Sequence, residues 1–233
     1  FADTLADDIW ARRHEVLNDY LTVEAAADIA AGFDSREGPL VIADYADNPG
    51  AGGYGDSTNL LGALLEAGVD NACFGPMVDG EAVEILQSAM VGEQIRLAVG
   101  GKTDAAFGGG PLMLEGELVS ISDGHFVGDG PILGGLHRSY GPTAVLRVAG
   151  FEILIVTIAQ QMLDLQQFKS FGIEPESKHV IVLKSMQHFR AAFEPIAGRV
   201  IVCDSGALCT LDYTRMPYRN VPRPIFPLDE DIG

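Results

Sequence analysis

The stretch Asp44-Tyr45-Ala46-Asp47-Asn48-Pro49-Gly50-Ala51-Gly52-Gly53-Tyr54-Gly55-Asp56-Ser57-Thr58 is a glycine-rich loop carrying three aspartates. The apolar run Leu40-Val41-Ile42-Ala43 before it reads as a buried strand. Asn59-Leu60-Leu61-Gly62-Ala63-Leu64-Leu65-Glu66 after it reads as a helix. A long loop between a strand and a helix points to an α/β sheet, where ligands bind at the carboxyl ends of strands. Glycine admits positive φ and close backbone approach. The helix start is expected to offer free N–H groups to an anion, with Asp56 as its cap.

The rest of the chain extends this pattern. Residues 1–33 read as two helices, the second capped by Thr22, and Ser35 to Pro39 as a turn. A strand near Val69–Phe74 and a helix near Gly80–Met90 continue the alternation and predict parallel pairing. Residues 93–158 differ, being rich in glycine and β-branched residues, with turn signals at Asp123-Gly124 and Ala149-Gly150. They predict an inserted antiparallel β unit. Beyond them come a short helix over Leu163–Phe171, a strand over His179–Leu183, a helix over Gln187–Ala197 and a strand over Arg199–Cys203. The tail holds Pro217, Pro222, Pro224 and Pro227 and is expected to run extended over the surface or over a partner domain. The fold class is therefore α/β, a mixed or parallel sheet with an inserted antiparallel β unit and an amino-terminal helical arm.

Charge narrows the partners. Fifteen lysines and arginines stand against 33 acids, a formal charge of −18. Such a surface repels nucleic acid and anionic membranes. The most apolar region, Ala144 to Ala159, is interrupted by Arg147, Gly150 and Glu152, so no membrane span is expected. Cys73, Cys203 and Cys209 form no C-x-x-C pair and read as reduced thiols of a cytoplasmic protein. The chain opens at Phe1 inside an amphipathic helix, which suggests a piece of something longer.

Several motifs are decoys. Gly50, Gly52 and Gly55 satisfy G-x-G-x-x-G and Asp70 follows at a suitable distance, but Asp47-Asn48-Pro49 separates the glycines from the strand, and Asp70 begins a strand where it should end one. Gly100-Gly101-Lys102-Thr103 lacks the upstream glycine of a phosphate loop and reads as a turn. His14, His125, His137, His179 and His188 show no metal-ligand spacing, so no metal ligands are assigned to this chain. His125 and His137 sit in glycine-rich β loops that are able to meet in space. A second strand-turn-helix junction, Val182-Leu183-Lys184-Ser185-Met186-Gln187-His188-Phe189-Arg190, gathers Lys184, Ser185 and His188 at a strand end, with Ser185 able to cap the helix. If its strand lies near the one ending at Asp44, the two junctions share one sheet edge.

These blocks together resemble a known family. Asp47-Asn48-Pro49-Gly50-Ala51-Gly52-Gly53, then Gly55-Asp56-Ser57-Thr58, is similar to the D-N-P-G-G-G-x-x-G-D-[ST]-T loop of MlrC-like proteins, the microcystin-degradation zinc metallopeptidases. Gly100-Gly101-Lys102, Asp129-Gly130-Pro131, Lys184-Ser185, Gln187-His188-Phe189-Arg190-Ala191-Ala192-Phe193 and the tail Arg223-Pro224-Ile225, Pro227-Leu228-Asp229 follow in family order. Ala51 departs from the family's glycine. The resemblance implies a two-part enzyme that cleaves peptide bonds in small peptides. Zinc, its ligands and the glutamate that activates water would lie in an amino-terminal part absent from this chain. Residues 1–34 would be the helical arm leading from that part, and 35–233 the carboxy-terminal domain, with 93–158 its β-rich insertion. This chain would close the cleft and be inactive alone. Asp47, Asn48 and His188 would then be catalytic, and Gly50, Gly52, Gly53, Lys184, Ser185 and Arg190 would bind substrate. His188 is expected to face the cleft, and Arg190 to turn away toward Glu194. The residues also leave open a noncatalytic ligand-binding or assembly module, and homo-oligomerisation.

Overall fold

The computed structural model describes residues 1–15 and 20–229. Helix α1 is Ala2–Ala11 and α2 is Val23–Ala31. Thr22 caps α2, its hydroxyl accepting the Ala25 N–H at 3.3 Å. Residues 16–19 of the expected helical arm, and 230–233 of the tail, lie outside the described residues. Strand β1 (Leu40–Asp44) leads through the glycine loop to α3 (Asn59–Glu66). Then follow β2 (Ala72–Val78), α4 (Gly80–Gln87), β3 (Gln94–Val99), β4 (Leu112–Ser122), β5 (His125–Val127), β6 (His137–Ser139), β7 (Thr143–Val148) and β8 (Phe151–Val156). The chain ends with α5 (Gln166–Lys169), β9 (Val180–Lys184), α6 (Arg190–Phe193) and β10 (Arg199–Cys203).

Eight strands make one sheet in the order β10-β1-β9-β2-β8-β7-β4-β3. The first five run parallel, while β7, β4 and β3 extend the sheet antiparallel. The mixed α/β sheet is therefore as the sequence predicts. The antiparallel strands of 93–158 continue that sheet, and only β5 and β6 form a separate two-stranded one. Strand β8 is the joint: it hairpins back from β7 and pairs parallel with β2.

Both faces are covered, which is why β1 and β9 are buried at every position. Leu40, Ile42, Val180 and Val182 pack on one side with Leu60, Leu61 and Leu64 of α3 and Val83 and Leu86 of α4. Val41, Ala43, Ile181 and Leu183 face the other side, among Phe168, Phe171, Phe189, Phe193 and Tyr140. Strand side chains alternate, so one strand feeds both cores.

Three elements differ from expectation. Strand β2 begins at Ala72, because Asn71 takes positive φ just before it. Helix α5 is a single turn. The helix expected over Gln187–Ala197 shrinks to α6 and a 3₁₀ turn at Glu194–Ile196, where Pro195 removes an N–H. Helix α1 buries none of its residues. It meets the proline-rich tail, Trp10 and His14 packing edgewise on Phe226 at 6.4 and 5.3 Å between ring centres.

Candidate functional site at the strand ends

Strands β1 and β9 are neighbours in register, Asp44 opposite Lys184. The two junctions singled out in the sequence therefore share one carboxyl edge. Lys184 Nζ lies 2.6 Å from Asp47 Oδ2, 3.0 Å from the Ser57 carbonyl and 3.4 Å from Asp44 Oδ2. All three charged side chains are sealed from solvent. Ser205, just past β10, donates to Asp44 Oδ1 at 2.6 Å. Burial pushes the Asp44 carboxyl up to about 6 against the pull of Lys184, with Asp47 adding to the rise. For Lys184, burial works downward, but the attraction of Asp47 and Asp44 outweighs it and holds the ammonium above its ordinary value. The lysine is thus a built-in counter-ion that pins the loop to the strand ends.

The loop is folded on itself. Asp47 accepts the Gly55 N–H at 2.8 Å and the Ser57 N–H at 2.7 Å. Asn48 Oδ1 accepts the Gly50 N–H at 2.9 Å, and its carbonyl accepts those of Ala51 and Gly53. Gly53 is the tight point: a Cβ there would sit 2.9 Å from the Asn48 backbone. Ala51 lies in the 3₁₀ turn Pro49–Ala51 and is not among the residues at positive φ, so an alanine there brings no backbone strain.

Two expectations are corrected here. Asp56 does not cap α3; its Oδ2 accepts the N–H groups of Lys102 and Thr103 at 3.0 and 2.9 Å and so anchors the Gly100-Gly101-Lys102 turn. Nor are the Thr58 and Asn59 N–H groups at the start of α3 open to an anion, because the Gly108 carbonyl accepts both, at 2.8 and 2.9 Å. The loop's donors at Gly50, Ala51, Gly52, Gly53, Gly55 and Ser57 are likewise engaged within the protein.

Ser185 is not a helix cap either. Its hydroxyl donates to the Met162 carbonyl at 2.7 Å and accepts from Gln161 Nε2 at 3.0 Å. Gly50 packs against the same Gln161, whose Oε1 would stand 2.5 Å from a Cβ there. Gln161 therefore bridges the glycine loop and the β9 turn. Further along this segment, Gln167 Oε1 accepts the N–H groups of Leu163 and Asp164, and Asp164 Oδ2 accepts the Gly130 N–H at 2.8 Å. The Asp129-Gly130-Pro131 block is thereby drawn to the same edge. The sequence reading assigned no site residue within 160–167; the Gln-Gln pairs at 160–161 and 166–167, flanking Asp164, were the available signal.

The predicted residues separate into two groups. Asp47, Asn48, Gly53, Lys184 and Ser185 are buried, whereas Gly50, Gly52 and His188 are exposed and Arg190 is partly so. His188 sits in the turn ahead of α6. Arg190 bonds Gln187 Oε1 at 2.9 Å and pairs with Glu194, so the two residues do not share a partner. His125 and His137 do come together, on the β5–β6 hairpin.

Among the described residues no group of three or more His, Cys, Asp or Glu could hold a metal ion. The buried acid pair Asp44 and Asp47 already encloses the Lys184 ammonium. The donors among the described residues do not fit a catalytic metal. No helix among the described residues is long and apolar enough to cross a membrane.

With this geometry in place, comparison with known proteins is direct. The model of the family described as MlrC C-terminus matches residues 42–220. Microcystinase C from a Sphingomonas species is 28% identical over 204 residues, covering 88% of this chain and 38% of that protein. The crystal structure of a protein named "Putative metallopeptidase", from Mesorhizobium sp. BNC1, superposes with a TM-score of 0.86 at 26% identity, covering 97% of this chain and 44% of that one. This chain thus spans less than half the length of either relative. The resemblance carried by the glycine loop and the Lys184–Phe193 block is one of descent: the chain belongs to the MlrC C-terminus family.

Proposed function

We propose that this chain is the carboxy-terminal domain of a zinc metallopeptidase that hydrolyses peptide bonds in small peptides. Its strand-end edge forms one wall of the cleft, and the zinc and its ligands belong to an amino-terminal part. One observation carries this reading. The family blocks at 47–58, 129–131 and 184–193 converge on a single carboxyl edge, tied together by Lys184, Gln161 and Asp164. Such an edge is where α/β sheets bind ligands.

In this reading Asp47 and Asn48 are positioning residues. They hold the loop in shape while Gly50 and Gly52 present its backbone to the cleft. Lys184 and Ser185 act in the same way from the β9 side. His188 is the exposed side chain able to touch substrate, donating a hydrogen bond to a developing oxyanion. Arg190, held by Glu194, supports the turn. The arm at 1–34 leads to the amino-terminal part.

The test uses the intact enzyme and one peptide substrate. His188→Ala is expected to lower kcat about 10²-fold, the size of a lost oxyanion donor, with unchanged Tm. The 233-residue chain assayed alone is expected to show no peptidase activity. Full activity of His188→Ala overturns its role, and activity of the chain alone overturns the two-part reading.

A further inference from the structure

A cavity of about 510 Å³ opens beside the β5–β6 hairpin, lined by His125, His137, Arg138, Ser139, Ile158 and Gln160. Its place is set by the segment that leaves β8. Thr157 and Ile158 donate to the Tyr140 carbonyl at 3.2 and 2.8 Å, which brings the hairpin against the carboxyl end of that strand. In the hairpin His125 faces Ser139, and Val127 faces His137. Side chains alternate along a strand, so His125, His137 and Ser139 share one face, while Arg138, opposite Phe126, leaves from the other face and lines the cavity from there. The two histidines are diagonal neighbours, about 7 Å apart at the backbone, close enough for both rings to reach one small group.

The charge of this cavity sets it apart. The chain carries a net −18, and four other surface cavities each hold an aspartate or glutamate in their walls. This one holds none and has an arginine instead. Arg147 is neutralised by Glu117 and Glu152, and Arg190 by Glu194. Arg138 enters no ion pair among the described residues. Other donors remain available. The Ser139 oxygen accepts the Gly141 N–H at 3.0 Å and keeps its own hydrogen. The Gln160 amide nitrogen donates to the Ser139 carbonyl and keeps a second N–H. Ile158, 48% exposed, supplies an apolar wall. Donors grouped beside an apolar surface suit an anion carried on an organic body better than a bare inorganic one.

We propose that this cavity binds the carboxylate of a peptide-sized ligand, with Arg138 as the charge partner and His125, His137 and Ser139 as hydrogen-bond donors. This is a binding property of the hairpin face and does not depend on peptide-bond hydrolysis by the protein.

The experiment is calorimetric titration of the intact protein after chelation, so that a metal-held carboxylate cannot mimic the effect. Acetyl-dialanine is compared with its amide, and acetyl-glutamate amide with acetyl-glutamine amide. At least one carboxylate is expected to bind tenfold or more tightly than its neutral counterpart. A preference in the first pair identifies a chain terminus as the source, and in the second an acidic side chain. Arg138→Gln with His137→Gln is expected to erase that preference without changing Tm, both side chains being exposed. Equal binding of acid and amide in both pairs overturns the proposal. So does a preference that survives the double substitution, or inorganic phosphate binding more tightly than either acid.

Discussion

Lys184 Nζ lies 2.6 Å from Asp47 Oδ2, and neither side chain has access to water. Removing one member of a buried pair strands the other, at about 3–5 kcal/mol. Lys184→Met is therefore expected to lower unfolding free energy by about that much in urea titrations. The same substitution made in an Asp47→Asn background is expected to cost less, because the two sites are coupled. A Lys184→Met protein within about 1 kcal/mol of the parent would show that the pair contributes little.

Asp44 gives stability a defined pH slope. An unfolded aspartate titrates near 3.9, whereas burial raises folded Asp44 to about 6. Between these values the folded chain holds a proton that the unfolded chain has released, so this group's contribution falls as pH rises. The effect is complete above about pH 6 and is at most about 3 kcal/mol. Denaturant midpoints near pH 4 and pH 7 are expected to show the parent losing stability relative to Asp44→Asn. A pH-independent gap between the two proteins would contradict this.

Gly52 and Gly53 are expected to respond differently to alanine. Gly52 has φ +96° with open space where a Cβ would stand, so Gly52→Ala costs only backbone strain, about 1–2 kcal/mol. At Gly53 a Cβ meets the Asn48 backbone at 2.9 Å, and the loop must open to admit it. Thermal melts are expected to rank Gly53→Ala well below Gly52→Ala. The opposite order would mean that the loop is less tightly wound.

Arg190 pairs with Glu194 on a partly exposed helix face. Pairs of this kind contribute about 0–1 kcal/mol. Arg190→Ala in the intact enzyme is expected to leave KM unchanged and to lower Tm slightly. A sharp rise in KM with unaltered Tm would instead place its guanidinium on the substrate.

What was legible in the sequence was local. Strands β1 and β10 fall where the sequence places them, at 40–44 and 199–203, because apolar runs bounded by turn residues define them. The strand-end position of the glycine loop followed from the same pattern. What escaped depends on distant partners. Asp56 looks like a cap until Gly108 takes that place. Ser185 looks like one until Gln161, 24 residues earlier, engages its hydroxyl. Lys184 and Asp47 each stood out, yet nothing local says that residues 137 apart neutralise each other. The antiparallel strands were visible as strands, but their hydrophobic period carries no information about which sheet they join.

The strand order also dictates a sequence of events at the ribosome. Strands β2, β8, β7, β4 and β3 form a contiguous five-stranded block drawn entirely from residues 72–156. That block can assemble while synthesis continues. Strand β1 cannot join it, since both of its neighbours, β9 and β10, are made later. Asp44 precedes Lys184 by 140 residues, a wait of roughly 7–28 s at translation rates of 5–20 residues per second. During that interval a strand with four apolar residues in a row, Leu40 to Ala43, has no partner on either edge, the condition most prone to aggregation. Yield in the cell is therefore expected to depend on how well this one early strand is shielded until the last third of the chain arrives.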